Sequence, residues 1–589
     1  MSAFAGLVTR DRHSLQSAVA AWQSPLRDVP VPQDWHFEDA YFCCWAADAV
    51  LHTPTGPDGW LGLIDGRIGA AAFAASTSVA AGQAEPSRSW PPPAPGSIAT
   101  EFALAAWHDG NRELYLCRDA IGGYPIFYHE TANGVAFATD LPLLLRLPFV
   151  PRRLNQRTIA GSRARDDSLL ASDSFYESIK LLPAGHSATY NGTGMQVRRW
   201  WHPKTVAIAE PNPAGTLRAE IVRSVTDRMR DGQRVAVHLS GGLDSSAIAC
   251  IAARQLQQEG KRLLAISSVL PPGWHGPETD ERAHIQAVLA QEPNIDIHWL
   301  SVPLSASPFT ATERVFETLG QPAYSSVPHI DDALGRLGRQ LGVDVVLSGF
   351  AGDFFASWRG DGVIAALVGE GDWSRAFHEL SALRARGFGS WARLVKRHLL
   401  APLVRGAMAG RTLTHRSFHH APPRRQMAFV AEPGHLERAL NSSVRMFDRA
   451  YGQSLRFPLL DRGIVELMLT MPTGELQQRG ENRSLFRRAM KDIVPEQILM
   501  RQDKGAAFDP QLAARILAAR EDLEEWANRP CNTAHWSSQD RTSFLEELSA
   551  IKRSGRDGWR DGMFRHILVA GTLARFAAWH ADQAQDHAR

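Results

Sequence analysis

Val235-Ala-Val-His-Leu-Ser240-Gly241-Gly242-Leu243-Asp244-Ser245-Ser246 decides how the rest of the chain is read. The apolar run Val235, Ala236, Val237, Leu239 has the character of a strand buried on both faces. It stops at Ser-Gly-Gly, and an apolar-periodic segment (Ala247, Ile248, Ile251, Ala252, Leu256) follows as far as Gly260. The spacing predicts strand, tight turn, helix. Paired glycines let the backbone turn sharply and bring its N–H groups against a ligand, and a helix start favours an anion. Hydroxyls at Ser240, Ser245 and Ser246 can donate to phosphate oxygens, and Asp244 can hold a magnesium ion between phosphates. The stretch Ser240, Gly241, Gly242, Leu243, Asp244, Ser245, Ser246 therefore reads as a pyrophosphate cradle. Asp244 as a mere helix cap is the plainer alternative.

No Lys-Ser/Thr pair follows a four-residue spacer, so the loop is not a Walker A loop. It resembles the PP-loop, SGGxDS, of the ATP pyrophosphatases, which cut ATP between its α and β phosphates and make an acyl-adenylate.

At 589 residues the chain is too long for one ordinary core, and two or three domains are expected. A formal net charge of +2 exerts no global pull toward nucleic acid or membrane. Cys43, Cys44, Cys117, Cys250 and Cys531 lack metal-ligand spacing, and their odd number argues against a disulfide framework. No segment reads as a signal peptide or membrane span, which makes a cytoplasmic enzyme the expectation.

Residues 1–205 carry short apolar runs separated by turn signals: Leu61–Ile64, Glu101–Trp107, Leu114–Cys117, Pro125–Tyr128 and Val135–Ala138. His108–Arg112 reads as a hairpin turn, and the Pro-rich Ala84–Ser97 as a surface loop. An all-β or layered α+β unit follows. In residues 206–589, a linker at Glu210–Gly215 and a helix over Leu217–Arg230 lead into the cradle. Apolar runs at Leu263–Leu270, Ile295–Val302 and Val343–Leu347 alternate with helical stretches over Thr279–Gln291 and Asp331–Leu341. Such alternation implies a doubly wound parallel sheet, with ligands at the carboxyl ends of its strands. Ser268 stands at one such end. His238, inside the cradle strand, reads as a core histidine or one touching adenine. Asp280-Glu281 reads as a helix cap, and Phe564–Trp579 as a packed helix.

Residues 373–425 are strongly basic, with Glu379 the sole acid among eleven Arg and Lys. A solvated helical face is the ordinary reading. A docking patch for an acidic peptide or partner protein is the sharper one, and thin aromatic interleaving disfavours nucleic acid.

Several blocks together resemble the class B asparagine synthetases. Glu101-Phe-Ala-Leu-Ala-Ala-Trp-His, Arg118-Asp-Ala-Ile-Gly-Gly-Tyr-Pro, Phe137-Ala-Thr-Asp140 and Ile179–Gly185 look like their glutaminase domain, an Ntn-type layered sandwich. That resemblance implies a cysteine exposed after Met removal. Here the second residue is Ser2, and the glutamine-holding Asn-Gly-Glu motif is missing, so a glutaminase-like shell without glutaminase activity is expected. Leu347-Ser348-Gly349-Phe350-Ala351-Gly352-Asp353 resembles the SGxGxDE segment of the synthetase half. There Ser348 and Gly349 would border the nucleotide, and Asp353 would join Asp244 at magnesium. Phe350 replaces a residue that is Glu in asparagine synthetases and Tyr in β-lactam synthetases. Arg456-Phe-Pro458-Leu-Leu-Asp461, Glu481-Asn-Arg483-Ser-Leu-Phe-Arg-Arg and Arg501-Gln-Asp-Lys504-Gly505 complete the match, with Lys504 on the family's catalytic lysine.

Within this family the combination looks most like the lasso peptide cyclases, or macrolactam synthetases. The resemblance implies ATP and Mg²⁺, a ribosomal core peptide as substrate and a leader peptidase of the same pathway as partner, without nucleic acid or membrane insertion. The chemistry it implies is adenylation of an Asp or Glu side chain, followed by attack of the peptide's own N-terminal amine. β-Lactam synthetase, ammonia-dependent asparagine synthetase and a peptide-binding pseudo-synthetase are the alternatives.

Overall fold

A computed structural model of the chain describes residues 3–24, 32–45, 50–52, 60–66, 101–164, 171–275, 280–323, 325, 327–408, 418–501, 511–529, 538–554 and 563–588. The Pro-rich segment 84–97, Ser2 and Lys504 lie outside these residues.

Strands β1 (Phe4–Thr9), β2 (Gln33–His36), β3 (Ala40–Cys44), β4 (Val50–His52), β5 (Trp60–Gly66), β6 (Phe102–His108) and β7 (Glu113–Arg118) open the chain. They are followed by β8 (Phe127–Thr131), β9 (Gly134–Ala138), β10 (Lys180–Leu181), β11 (His186–Tyr190) and β12 (Met195–Arg199). These form two six-stranded antiparallel sheets, ordered β10-β8-β9-β1-β3-β2 and β12-β11-β7-β6-β5-β4. The expected hairpin at His108–Arg112 joins β6 to β7, with His108 opposite Glu113. The sheets meet through aromatic side chains: Phe42 of β3 lies 5.8 Å from Trp107 of β6 and 5.9 Å from Phe137 of β9. Gly6 is required beneath them, because a Cβ there would come 2.5 Å from the Phe137 ring. Cys43, Cys44 and Cys117 are buried in these strands, and Cys250 in a helix.

The second half holds a five-stranded sheet of β13 (Val235–His238), β14 (Leu263–Ser268), β15 (Ile295–Leu300), β16 (Val345–Leu347) and β17 (Ser454–Arg456), in the order β15-β14-β13-β16-β17. Every pairing is parallel. The chain winds outward from β13 through β14 to β15, then returns to place β16 and β17 on the other side. The direction of winding therefore reverses between β13 and β16. Helix Leu243–Gln258 covers the sheet and buries nearly every side chain from Leu243 to Ala253, as its apolar composition dictates. The helix before β13 begins at Pro213, capped by Asn212 Oδ1, so the linker is shorter than the Pro-Asn-Pro run suggests. β17 had no counterpart in the apolar pattern; three residues become a strand because β16 offers them an edge. The C-terminal helix, Met563–Ala588, packs Phe576 against Phe175 and Phe316.

Buried ion pairs join the halves. Arg118 is fully buried and donates to Tyr124 O (2.7 Å), Gly122 O (2.8 Å) and, across the interface, Asn441 Oδ1 (3.1 Å) and Glu437 (3.3 Å). Glu437 Oε2 also accepts from Ala184 N at 2.7 Å. Arg228 bridges Glu101 of the sandwich (3.0 Å) to Asp461 (3.1 Å), Arg445 pairs with Asp65, and Arg449 with Asp140.

Candidate functional site

The switch point puts two loops side by side. The loop after β13 runs Leu239–Gly242 into helix Leu243–Gln258, with Asp244 in its first turn. Gly241 adopts φ 69°, and a Cβ there would meet His284 Cβ at 3.0 Å and Glu281 O at 3.2 Å. Only glycine turns here without strain. Ser245 Oγ holds the turn closed, accepting from Ser240 N (3.1 Å) and lying 2.9 Å from Ser240 Oγ. Ser240 is exposed at the mouth, Leu243 and Ser245 are buried, and Ser246 is fully enclosed with no partner for its Oγ among the described residues.

The loop after β16 comes against it. A Cβ on Gly349 would lie 3.0 Å from Ser245 N and 3.3 Å from Asp244 Cβ; one on Gly352 would lie 3.1 Å from Asp244 Oδ1 and 2.6 Å from Leu459 Cδ1. Two glycines thus allow the loops to touch. Ser348 Oγ accepts from Phe350 N (3.2 Å), turning the loop, and the Phe350 ring packs edge-on to Phe457 at 5.9 Å. Asp353 is buried just beyond. The structure brings together Ser240, Gly241, Gly242, Asp244, Ser245, Ser348, Gly349 and Gly352. Ser268 is exposed at the carboxyl end of the neighbouring β14.

Each carboxylate faces an arginine to which the sequence reading assigned no role. Arg483 Nη1 lies 3.2 Å from Asp244 Oδ2 and 3.3 Å from Ser357 Oγ, and Arg359 Nε donates to Asp353 Oδ2 at 3.0 Å. Arg483 and Asp244 are both largely buried, whereas Arg359 is half-exposed. The approach of residue 483 to residue 244 has no local signal. Arg359, six residues beyond Asp353, could have been suspected from its position alone.

Asp280 takes the expected capping role, its Oδ1 accepting from Arg282 N at 3.0 Å at the start of helix Arg282–Gln291. Glu281 stands at the N-cap of helix Arg282–Gln291, but its side chain caps nothing. Its carboxylate instead takes Arg501 at 2.8 Å, with His284 Nδ1 at 3.6 Å. This pair ties the border of the segment that contains Lys504 to the wall of the cradle.

His238 contacts the Phe447 ring at 5.6 Å, and its Nε2 is buried with no partner among the described residues. Burial lowers its pKa to about 4, so the imidazole is neutral near pH 7. Arg456 and Asp461 are structural: Arg456 donates to Arg228 O (2.6 Å) and Arg230 O (3.0 Å), and Asp461 caps Gly463 N (2.9 Å). Among the described residues no group of three or more His, Cys, Asp or Glu is placed to hold a metal, and no helix is long and apolar enough to cross a membrane.

Residues 216–581, more than half of the chain, match the profile of the family described as asparagine synthase. The chain belongs to the asparagine synthase family. Residues 95–201 match a glutamine amidotransferase domain, in keeping with the layered sandwich, and the parallel sheet is the PP-loop half. The family consists of ATP-dependent, AMP-forming carbon–nitrogen ligases. A glutamine-hydrolysing asparagine synthetase 3 of Bacillus subtilis is 22% identical over 418 residues, covering 68% of this chain and 66% of that protein. A putative glutamine-hydrolysing asparagine synthetase of Mycobacterium bovis is 25% identical over 547 residues, covering 82% and 76%. The amidase chry2 of Gibberella zeae is 26% identical over 274 residues, covering 43% and 39%.

Proposed function

We propose that this member of the family forms an amide within one molecule: it adenylates an Asp or Glu side chain of a leader-free peptide, and the peptide's own N-terminal amine displaces AMP to close a lasso-type macrolactam. A carboxylate and an amine do not condense unaided at neutral pH. In the first step a carboxylate oxygen attacks the α-phosphorus of ATP and pyrophosphate leaves. In the second the amine nitrogen attacks the acyl carbon, AMP departs with the bonding pair, and the nitrogen sheds its protons.

Asp244 and Asp353 have the hard oxygen donors that suit magnesium, which when bound screens the phosphate charge. Ser240, the Gly241–Gly242 turn and the start of helix Leu243–Gln258 would cradle the pyrophosphate. Lys504 would stabilise charge on the departing phosphate.

Phe350 carries the reading. Its ring sits on the loop that touches Asp244, packs on Phe457, and has no group that can take a proton. A small charged acceptor with free ammonia needs such help. A tethered amine gains effective molarities of about 10⁵–10⁸ M instead. The thiols add support: burial pushes Cys117 and Cys250 up to about 12, and Cys43 well up, so none of these is a thiolate fit to cleave glutamine.

The names of the B. subtilis and M. bovis relatives favour a second reading, asparagine formation. One experiment separates them. Purified protein is incubated with ATP, Mg²⁺ and a core peptide bearing a free N-terminus and an internal Asp or Glu, and in parallel with aspartate and ammonia. AMP release with loss of one water from the peptide is expected. Efficient asparagine formation with an unchanged peptide would overturn the cyclase reading.

A further inference from the structure

More than half of the exposed large apolar side chains among the described residues lie between 373 and 404. Trp373 and Phe377, each 64% exposed, come from helix Trp373–Ala385. Trp391, Leu400, Leu403 and Val404 come from the helical run that follows. The Phe377 and Trp391 rings stack at 5.8 Å with 10° between their planes, so the two elements present one surface. Rings fixed against one another lose little entropy on binding.

The same stretch carries Arg375, Arg384, Arg386, Arg393, Lys396 and Arg397. Its single acid, Glu379, is buried and consumed: its carboxylate accepts from Arg479 N and Gly480 N, both at 2.8 Å, and from Gln477 Nε2 at 3.3 Å. Arg384, Arg393, Lys396 and Arg397 form no ion pair among the described residues. The inner side of the first helix thus clamps a loop of the synthetase half, while its Trp373 and Phe377 are exposed, as are Arg384, Arg393, Lys396 and Arg397 of the same stretch. A solvated basic face does not need Trp373, Phe377 and Trp391 in water. Exposed aromatic clusters edged by arginine have the composition of interface hot spots.

We infer that helices 373–404 form a docking surface for an acidic amphipathic segment of a partner protein, one that lays aliphatic or aromatic side chains on the Phe377–Trp391 stack and carboxylates against Arg384, Arg393, Lys396 and Arg397. A second copy of this chain fits poorly, because a two-fold contact would set like charges against one another. A firm base also suits a protein segment: Glu379 anchors the helix to the loop 477–480.

The test uses the full-length protein and a labelled synthetic helical peptide with leucine and tryptophan on one face and glutamate on the other. It is run beside a version with lysine for glutamate, beside phosphatidylglycerol–phosphatidylcholine vesicles, and with sedimentation of the protein alone. The acidic peptide is expected to bind, about tenfold or more tighter than the lysine peptide and more weakly as salt rises. Phe377→Ser with Trp391→Ser, and separately the surface reversal Arg393→Glu with Arg397→Glu, should each weaken binding about tenfold. Failure of the acidic peptide to bind, equal binding of the two peptides, or binding that survives both double variants overturns the inference. So does vesicle binding lost in the same variants, which assigns the surface to lipid, or dimerisation lost in them, which assigns it to a second copy.

Discussion

Asp244 in the first turn of the cradle helix and Arg483, more than two hundred residues later, face one another at 3.2 Å with both side chains largely shielded from water. Arg483 holds a left-handed backbone, φ 55°, and its guanidinium also reaches Ser357 Oγ. A non-glycine residue kept there is held by its surroundings, and such positions cluster at working sites. The cation beside the cradle is thus built in. Asp244→Ala should abolish ATP-dependent AMP release. Arg483→Gln, which keeps bulk and hydrogen bonding, should slow it about 10²–10³-fold, the usual effect of removing one preorganised donor. Quenched-flow measurement of pyrophosphate release checks both, and a wild-type rate in Arg483→Gln would confine the pair to a structural role.

Lys504 is assigned by resemblance, and the role predicted for it is made in the transition state. Lys504→Ala should therefore lower the single-turnover rate about 10²–10³-fold while leaving the affinity for ATP nearly unchanged. Calorimetry of nucleotide binding beside rapid-quench kinetics distinguishes this from a simple binding defect.

The Glu101–Arg228–Asp461 clasp is buried at Arg228 and Asp461 and largely shielded at Glu101. Although burial opposes it, Arg228 and Arg223 hold the Asp461 carboxyl below the usual carboxylate range. Arg228→Met strips the buried cation from two carboxylates and should cost about 3 kcal/mol, the low end for breaking such a pair, because Asp461 keeps Arg223 at 2.7 Å. Arg223→Met, at a half-exposed side chain, should cost under about 1 kcal/mol. Urea unfolding of both variants tests the difference, and equal losses would refute the clasp.

The doubly wound sheet and the position of the cradle were legible because buried parallel strands announce themselves as apolar runs, and a glycine pair after one of them has few other uses. The blocks that carried the family resemblance were legible too, but the geometry makes several of them fasteners. Arg118 and Asp119 order the 119–124 turn and Arg118 docks on Glu437, while Arg456 and Asp461 hold the helix before the cradle. The counter-ion Arg483 was not legible, since it depends on a loop folding back across more than two hundred residues by a route that no local periodicity encodes, whereas Arg359 lies only six residues beyond Asp353. The basic segment 373–425 reads from sequence as a solvated face or a docking patch for an acidic partner, but the convergence of its rings has no sequence signal, since Phe377 and Trp391 meet only once two helices pack.

Gly352 tests how tightly the two loops meet. A Cβ there would press Leu459 Cδ1 at 2.6 Å and Asp244 Oδ1 at 3.1 Å, beside Ala351 at φ 61°. Gly352→Ala should cost about 1–3 kcal/mol by overpacking and weaken ATP binding, because the strain falls on Asp244. Gly369→Ala, at the end of a helix with nothing within 4 Å of its Cβ, should be neutral or slightly stabilising. A Gly352→Ala protein that melts and binds ATP as the parent does would show that the loops have room to spare.

His238 gives the cradle strand a pH dependence whose sign follows from its burial. Burial lowers its folded pKa to about 4, against an ordinary value near 6.5, so between these limits the unfolded chain binds the extra proton. The stability it contributes is whole above about pH 6.5 and is lost as pH falls through about 4. The loss amounts to about 3–4 kcal/mol at most, from roughly 1.4 kcal/mol per pH unit. His238→Asn should therefore flatten the fall in urea midpoint between pH 7 and pH 4.5 relative to the parent, while carboxylate titrations elsewhere, those of Asp119 and Asp331 near 6 among them, remain. Parallel curves for parent and variant over that range would mean that the imidazole is solvated and titrates normally, and the buried neutral assignment would be wrong.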